Sequence, residues 1–265
     1  MPELPDVETF KNYLESTAMR QPVAHVTVLA ERVLRDITPQ TLGRRLKGRQ
    51  FVDTRRHGKY LFARLDRDGW LLLHFGMTGY LKYYAQERED PNLARVLFDF
   101  DNGCRLAFVN PRLLGTVGWV ADAGAFLEEA GLGPDALDKR LSRDRLQNIL
   151  GDRGGSIKAQ LMNQDRLAGI GNIYADEILF QAGIHPASRP SALSTDDYQH
   201  LHRTMRRVLR LCAQKQVRVD DFPRGYLLPH RRGDRQCPAC KGDLQKTAIS
   251  GRTTWLCPNC QKKRS

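Results

Sequence analysis

The sequence contains no long apolar run, internal repeat or low-complexity tract. None of its 265 residues lies in a run approaching the roughly 18 apolar residues that a membrane-spanning helix needs. The opening residues, MPELPDVE, are acidic and rich in proline, so we expect neither a signal peptide nor membrane association. Hydrophobic residues make up 41% and charged residues 27%, which excludes disordered, collagen-like and coiled-coil chains. This length accommodates one large domain or two to three smaller ones.

Acidic residues are scarce in the last quarter of the chain. Residues 201–265 hold 16 lysines and arginines but only 4 aspartates, and this surplus equals the net charge of the whole chain, +12. Such a charge attracts polyanions, and nucleic acid is the leading candidate. An anionic membrane is the alternative, but it requires a basic amphipathic helix, which residues 203–210 match only weakly.

Four of the six cysteines form two CxxC pairs separated by sixteen residues. Each pair can supply two corners of a tetrahedral zinc site, so the pattern predicts a zinc ribbon with no coordination position left for substrate. Two redox motifs or two disulfides are the alternatives, but no thioredoxin-like βαβ pattern surrounds either pair. We therefore expect one structural zinc ion, bound by Cys237, Cys240, Cys257 and Cys260.

The hydrophobic periodicity divides the chain into strand-rich and helix-rich parts. Eight short β-branched or alternating segments lie between residues 23 and 120, several of them separated by turn sequences, and they predict an antiparallel sandwich or barrel. From about Gly133 the periodicity becomes helical. We predict an α+β protein with a β-sandwich domain (1–132), a helical domain (133–228) and a zinc-ribbon module (229–265), with the substrate in a groove between the first two.

The second residue is a candidate nucleophile. Proline after Met1 commonly permits removal of the methionine, and we expect this to leave Pro2 as a free secondary amine. With a pKa near ~8, such an amine is partly neutral at pH 7 and can form an iminium with an aldehyde-level carbon. Glu3 and Asp6 are possible acids or bases beside it. Taken alone, a proline at this position is most often part of a frayed terminus.

Three separated motifs carry a family resemblance. MPELPDVET, GIGNIYADEILF and the CxxC-x16-CxxC ribbon occur in the order typical of the formamidopyrimidine-DNA glycosylase/endonuclease VIII family, and the chain resembles that family over nearly its whole length. The resemblance implies that the β-sandwich is the catalytic domain and that the helical domain is a DNA-binding helix–two-turns–helix domain, followed by the zinc ribbon. It also implies a bifunctional base-excision-repair enzyme that excises an oxidised base and nicks the abasic strand by β,δ-elimination.

The resemblance assigns catalytic roles by position. Pro2 matches the nucleophile that attacks C1′, and Glu3 matches the acid that moves protons at the sugar. Lys59 matches the lysine that holds a phosphate and assists elimination, and Asp6 matches a carboxylate near the extruded nucleotide. By itself, Lys59 would be interpreted as a surface lysine at a turn.

Further positions match residues that bind the DNA. Lys158, Asn172 and Tyr174 belong to the helix–two-turns–helix motif, and Arg252 matches the zinc-hairpin arginine that bridges phosphates. Base extrusion leaves a gap in the duplex that must be filled. The segments HFGMTG and NPRLLG resemble the loops that fill it, which makes the candidates His74, Met77, Arg112 and Leu114. As bare sequence, Met77 and Leu114 would more often be core residues.

Three departures from the family pattern bear on the lesion. Asp6 replaces the usual glutamate, and Leu114 stands where the purine-specific branch usually has phenylalanine. Residues 217–237 lack the long glycine-rich loop with which 8-oxoguanine enzymes cap the base. The resemblance favours an oxidised purine such as 8-oxoguanine or formamidopyrimidine, and these departures keep an oxidised pyrimidine or a broad lesion range open.

The remaining expectations concern partners and rival classes. We expect damaged double-stranded DNA as the partner, no small-molecule cofactor, a monomer, and a cytoplasmic location with the bacterial nucleoid. A non-catalytic damaged-DNA-binding protein would keep Asn172, Arg252 and the cysteines but would not need Pro2 or Glu3. A metal-dependent nuclease would need clustered acidic residues and histidines around an open metal site, and no such cluster stands out in the sequence.

Overall fold

The computed structural model describes residues 2–151, 154–231 and 235–265. It forms two compact units: the first contains Pro2 and Asp6–Gly131, and the second contains Glu3–Pro5 and Leu132–Ser265. The helix that opens the chain, α1 (Leu4–Thr17), therefore begins in the second unit and continues into the first. Each unit has its own hydrophobic core.

The first unit is a β-sandwich. One sheet has four strands in the order β1-β7-β8-β6, and the other has five in the order β2-β9-β5-β4-β3. All neighbours are antiparallel except β2 and β9, which are parallel. The strands are β1 (Val23–Val28), β2 (Leu34–Arg35), β3 (Phe51–His57), β4 (Tyr60–Leu65), β5 (Trp70–His74), β6 (Tyr80–Ala85), β7 (Ala94–Phe100), β8 (Cys104–Val109) and β9 (Thr116–Val120). Two helices complete the unit, α2 (Pro39–Leu46) and α3 (Ala123–Glu129).

Alternation along the strands builds the core between the sheets. In β7, Val96, Phe98 and Phe100 belong to the cluster that both sheets share, whereas Leu97 packs in a smaller cluster with Ala107. Successive side chains of a strand point to opposite faces, so this one strand contributes to two separate hydrophobic clusters.

The second unit is built from four helices and a β-hairpin. They are α4 (Arg143–Leu150), α5 (Ile157–Met162), α6 (Asn172–Gln181), α7 (Thr195–Gln214), β10 (Gln245–Ile249) and β11 (Arg252–Leu256). Ser142, Ser156 and Ser194 cap α4, α5 and α7, each accepting a backbone N–H three residues ahead. Leu4, from the start of the chain, is fully buried in the core of this unit.

The predicted fold class is confirmed. Each of the eight predicted strand segments contains a strand, and the helical periodicity from about Gly133 corresponds to α4 to α7. Among the strands and α-helices of the described residues, three were not predicted: β2, which has only two residues, α2, which Thr38 caps and Pro39 begins, and α3, which Asp122 caps. The three domain ranges and the groove between the domains remain predictions. No helix within the described ranges is both long and apolar enough to cross a membrane.

Candidate functional site

The Glu3 carboxylate is fixed at the N-terminus of α6. It is fully buried and accepts backbone N–H hydrogen bonds from Gly171 (2.7 Å), Ile173 (2.8 Å) and Tyr174 (3.2 Å). The first N–H groups of a helix lack partners inside the helix, and the helix dipole favours a negative charge there. The second unit thus holds a carboxylate of defined orientation immediately after Pro2, which is itself half-buried.

The glycines before α6 make room for this carboxylate. A Cβ on Gly171 would lie 2.5 Å from Cδ of Glu3, and a Cβ on Gly169 would lie 2.7 Å from a methyl carbon of Leu4. Gly169 also has φ +113°, which residues with a side chain rarely adopt. Both glycines therefore accommodate the start of the chain.

A buried ion pair joins α5 and α6 to the hairpin. Nζ of Lys158 lies 2.7 Å from Oδ1 of Asp176, and both side chains are essentially inaccessible. The same Nζ donates to the Thr253 carbonyl (3.1 Å) and to the Thr254 hydroxyl (2.7 Å). Asp176 Oδ2 accepts from the backbone N–H of Trp255 (3.0 Å). Burial lowers the pKa of Lys158, and the adjacent Asp176 carboxylate opposes that shift.

These contacts bear on the predicted roles of Lys158 and Tyr174. Lys158 would have to leave Asp176 and the hairpin to bind a phosphate, so its contacts favour a positioning role. Tyr174 is 2% exposed and lies in the hydrophobic core of the second unit. Direct DNA binding by either residue remains a prediction. The sequence analysis missed Asp176, although its place in the YADE part of the α6 motif could have indicated it.

Asn172 and the hairpin tip form one surface of the second unit. Nδ2 of Asn172 donates to the Thr253 carbonyl (2.9 Å), the same oxygen that Lys158 binds. Ser250 and Gly251 make the two-residue turn, both with positive φ, and exposed Arg252 follows. A depression of about 210 Å³ beside the tip is lined by Lys158, Ala159, Met162, Asn163, Ile249, Ser250 and Arg252.

A third buried carboxylate anchors the segment before the ribbon. Glu177 accepts from the side-chain amide of Gln181 (3.0 Å) and from the backbone N–H groups of Leu227 (3.1 Å) and Leu228 (2.8 Å). Burial raises its pKa to about 7. Arg231 follows in the same segment and lies 3.3 Å from Asp176 Oδ2. The sequence analysis missed Glu177, since a glutamate in a helix ordinarily indicates an exposed face.

The four cysteines of the ribbon are arranged for one metal ion. Their sulfurs all lie within 4.8 Å of one another, with 3.7 Å between Cys237 and Cys260 and 3.5 Å between Cys240 and Cys257. Zn–S bonds of about 2.3 Å in a tetrahedron place sulfurs about 3.8 Å apart, close to these distances. Disulfide bonds would need about 2.05 Å, so the pairs are not bridged. The donor set fits one structural zinc ion and leaves no place for substrate.

In the first unit, Lys59 lies at a hairpin tip near His74. Gly58 and Lys59 form the two-residue turn between β3 and β4, and Gly58 has φ +55°. His74 pairs with Tyr60 across the sheet, and their rings lie 4.8 Å apart. Burial, together with the positive charges of Lys59 and Arg35, lowers the pKa of His74 to about 4. The imidazole is therefore neutral at pH 7.

The start of α1 places Asp6 in its first turn, where it is half-buried. One turn later, Glu8 binds Arg56 of β3 through a 2.6 Å hydrogen bond from Nε. These contacts join the helix to the strand that leads to Lys59. The role of Asp6 near an extruded nucleotide remains a prediction.

Two loops of the first unit expose apolar side chains. Met77 is 37% exposed and Leu114 is 47% exposed, and Arg112 beside Leu114 is also exposed. The buried Asn110 joins the loops: its amide donates to the Phe75 carbonyl (3.0 Å), and its oxygen accepts from the Leu114 N–H (3.0 Å). Exposure of both apolar tips favours the wedge interpretation over a core role. Asn110 was missed, although its place before proline in NPRLLG indicates a structured turn.

The fold and the site define a class of zinc-containing α+β protein. It combines a β-sandwich, a helical unit in which Glu3 caps α6, and a ribbon with four cysteines. Residues 1–117 match the model of the formamidopyrimidine-DNA glycosylase N-terminal domain, residues 132–221 match its H2TH domain, and residues 236–263 match a zinc finger found in FPG and IleRS. The chain belongs to the formamidopyrimidine-DNA glycosylase family.

Individual relatives agree over the full length. A formamidopyrimidine-DNA glycosylase of Geobacter metallireducens is 35% identical, with 98% of this chain and 100% of the relative covered. One from Symbiobacterium thermophilum is 34% identical, over 98% of this chain and 89% of the relative. The fold matches Lactococcus lactis formamidopyrimidine-DNA glycosylase non-covalently bound to DNA containing an AP site, with a TM-score of 0.90, 24% identity, and 98% of this chain and 100% of the other covered.

Proposed function

We propose that this chain is a base-excision-repair DNA glycosylase with AP-lyase activity, acting on damaged duplex DNA through Pro2. The family relationship supports the activity. The observation that carries the mechanism is the Glu3 carboxylate, which three backbone N–H groups hold beside Pro2 in the chain. A carboxylate fixed in this way can respond to charge on the sugar without first reorganising.

The reaction begins with attack at the sugar. The neutral Pro2 nitrogen bonds to C1′, and the bond from C1′ to the base breaks with its electron pair leaving on the base. After the attack, the Glu3 carboxylate takes the proton from the Pro2 nitrogen and delivers it to the ring oxygen as the bond from C1′ to that oxygen breaks, which leaves an iminium between Pro2 and C1′. This step requires removal of Met1, which lies outside the described residues.

Strand cleavage follows from the iminium. The positive nitrogen acidifies the C2′ proton, and its removal expels the 3′ phosphate by β-elimination. A second elimination expels the 5′ phosphate, and both leaving groups depart as phosphates. Lys59 at its hairpin tip is proposed to hold one of these phosphates. His74 is neutral, so it can accept a proton or form a hydrogen bond but offers no positive charge to a phosphate. The zinc ion takes no part in these steps and keeps the ribbon folded.

We propose that phosphate contacts hold the DNA and that exposed side chains fill the gap left in the duplex. Asn172 and Arg252 belong to the surface at the hairpin tip, and the exposure of Arg252 supports a phosphate contact there. Met77 and Leu114 are proposed to enter the gap left by the extruded nucleotide, and Arg112 is proposed to face the unpaired base. We also propose a monomer that acts at the nucleoid in the cytoplasm.

An oxidised purine is the proposed lesion, in keeping with relatives named for formamidopyrimidine and with a structural neighbour that binds DNA containing N7-benzyl-Fapy-dG. Two observations favour a second candidate, an oxidised pyrimidine. The tip at position 114 is the aliphatic Leu114, and the described part of the 217–237 segment is held by Glu177 through Leu227 and Leu228.

The test is a panel of duplexes, each with one oxidised base or an abasic site, incubated with untagged protein and scored for nicking. We expect nicked strands with phosphate at both new ends, fastest for the oxidised purines. Fastest nicking at oxidised pyrimidines would establish the second candidate. A non-catalytic binding protein would bind the duplexes but nick none of them. Its Pro2→Gly variant would bind DNA as well as the wild type does.

A further inference from the structure

One face of α7 is a row of arginines. Arg203, Arg206, Arg207 and Arg210 have the spacing i, i+3, i+4, i+7, which places them within an arc of about 100° and along about 10 Å of helix axis. We call these four residues the arginine face. They line an open depression of about 490 Å³ together with His202, Leu211 and Gln214. The opposite side of α7 is buried in the core of the second unit, so the arginine face points outward.

Within residues 2–151, 154–231 and 235–265, acidic side chains offset the charge of this face only in part. None of the four guanidinium groups forms an ion pair there. Arg206 donates to the backbone carbonyl of Asp138 (2.7 Å), while the Asp138 carboxylate binds Arg140 instead (3.1 Å). Burial, followed by the positive charge of the neighbouring Arg210, lowers the pKa of Arg206, while the carboxylates of Asp138 and Asp135 oppose that shift. Such a cluster costs stability unless an anion offsets it.

The face is separate from the surface assigned to lesion DNA. The depression at the hairpin tip and the one at α7 have no lining residue in common. Glu3, Asn172 and the hairpin account for the first surface, and the arginine face has no part in the proposed mechanism. Its charge therefore lacks an explanation in the chemistry at the damaged nucleotide.

The geometry of the arginine face fits a phosphate backbone. Duplex DNA places one phosphate per strand every 3.4 Å along its axis, so about 10 Å of helix spans about three phosphates. Arginine suits this contact because its planar donor groups bind phosphate oxygens in pairs. An anionic membrane fits less well, since the helix side opposite the arginines is already buried in the core.

We propose that the arginine face is a second nucleic-acid site, which binds a further segment of undamaged duplex through its phosphates while lesion DNA occupies the first. Binding there is independent of sequence and sensitive to salt. It lets one molecule contact two segments of DNA and pass from one to the other. The proposal goes beyond the proposed activity and does not require a catalytic step.

The test is a sandwich assay. A short duplex with an abasic-site analogue is immobilised and loaded with protein, and a labelled undamaged duplex is then added. We expect capture of one labelled duplex per bound protein at 50 mM salt. Three phosphate contacts give a slope of about −2.7 for log affinity against log salt. The affinity for the labelled duplex should therefore fall roughly 40-fold between 50 and 200 mM salt.

Two triple variants separate the arginine face from general charge loss. Arg203→Gln/Arg207→Gln/Arg210→Gln should load and nick the short lesion duplex like wild type but capture no second duplex; Arg206 is kept because of its backbone contact. Arg32→Gln/Arg67→Gln/Arg88→Gln removes the same charge from exposed positions of the first unit and should capture normally. Normal loading with unchanged capture by the first variant overturns the proposal, as does equal capture of labelled polyglutamate.

A second measurement applies if the protein does not bind the immobilised lesion duplex. If wild-type protein does not load, the proposed lesion-binding function fails, and the arginine face is tested by itself through modification with phenylglyoxal. Undamaged duplex should protect Arg203, Arg207 and Arg210 at 50 mM salt and release them at 200 mM. Equal modification with and without duplex would overturn the second site.

Discussion

Replacing Gly171 by alanine tests how the chain start is held. The backbone at Gly171 has φ −126° and ψ −160°, an extended conformation that alanine also adopts. The substitution therefore acts through its new methyl group, which would lie 2.5 Å from Cδ and 2.6 Å from Oε1 of Glu3. The carboxylate is the end of a flexible side chain, so we expect it to move rather than the helix.

The expected magnitude follows from the hydrogen bonds lost. Glu3 accepts three backbone N–H groups, and hydrogen bonds to a charged group contribute about 1.5–3 kcal/mol each. Partial re-pairing reduces the net loss, and we expect about 2 kcal/mol, which lowers the unfolding midpoint by roughly 4–8 °C. Nicking of a lesion duplex should fall by more than the stability change explains, because the carboxylate leaves its position beside Pro2.

The assay combines thermal unfolding with single-turnover nicking below the unfolding transition. Gly43→Ala is the matched control, since Gly43 lies inside α2 and has no heavy atom within 4 Å of the added methyl group. That control should be slightly stabilised and fully active. Wild-type stability and wild-type nicking in Gly171→Ala would refute the placement of Glu3 at the start of α6.

Four further outcomes are expected. The pKa of His74, measured by NMR, should be about 4, below the ordinary value of 6.5. The contribution of the neutral His74 to folding stability is therefore fully present above pH 6.5 and is lost as the pH falls towards 4. His74→Gln should remove this pH dependence of stability. Lys158→Met leaves Asp176 buried without its closest cation and should cost about 3 kcal/mol in chemical denaturation, with weaker DNA binding as a consequence; unchanged stability would contradict the buried pair. Arg252→Gln should weaken binding to all sequences and lower the salt slope by about 1 without changing stability, whereas a loss that depends on flanking sequence would contradict a phosphate contact. Cys257→Ser, or removal of metal by a chelator, should release one zinc ion per chain, measured with a colorimetric zinc indicator, and abolish nicking of a lesion duplex; wild-type nicking after complete zinc loss would contradict a structural role.

Much of the fold was predictable because local patterns and packing agree. The alternation in β7 reports two buried faces, and the serine caps mark where helices begin. The cysteine spacing similarly predicted a zinc site, whose sulfur positions the structure confirms. The two-residue strand β2 could not be predicted, since its pairing with β9 is a long-range contact with no local signal.

The site was less predictable because its charges are paired through the tertiary fold. Lys158 looks like an exposed phosphate ligand in sequence, yet Asp176 and the hairpin enclose it. Glu177 belongs to a helix that is buried on nearly every side, and its partners are backbone groups about fifty residues away. No sequence pattern indicates such partners, whereas Pro2 and Glu3 could be proposed as catalytic residues because the family motif includes them at the chain start.

The account depends most directly on a covalent bond between the chain start and the sugar. Untagged protein is incubated with a lesion duplex and borohydride, and the trapped complex is digested and sequenced by mass spectrometry. We expect the nucleotide on the nitrogen of Pro2, and no adduct with Pro2→Gly or with a protein that carries an N-terminal tag. An adduct on a lysine, or undiminished trapping in the tagged protein, would contradict the account.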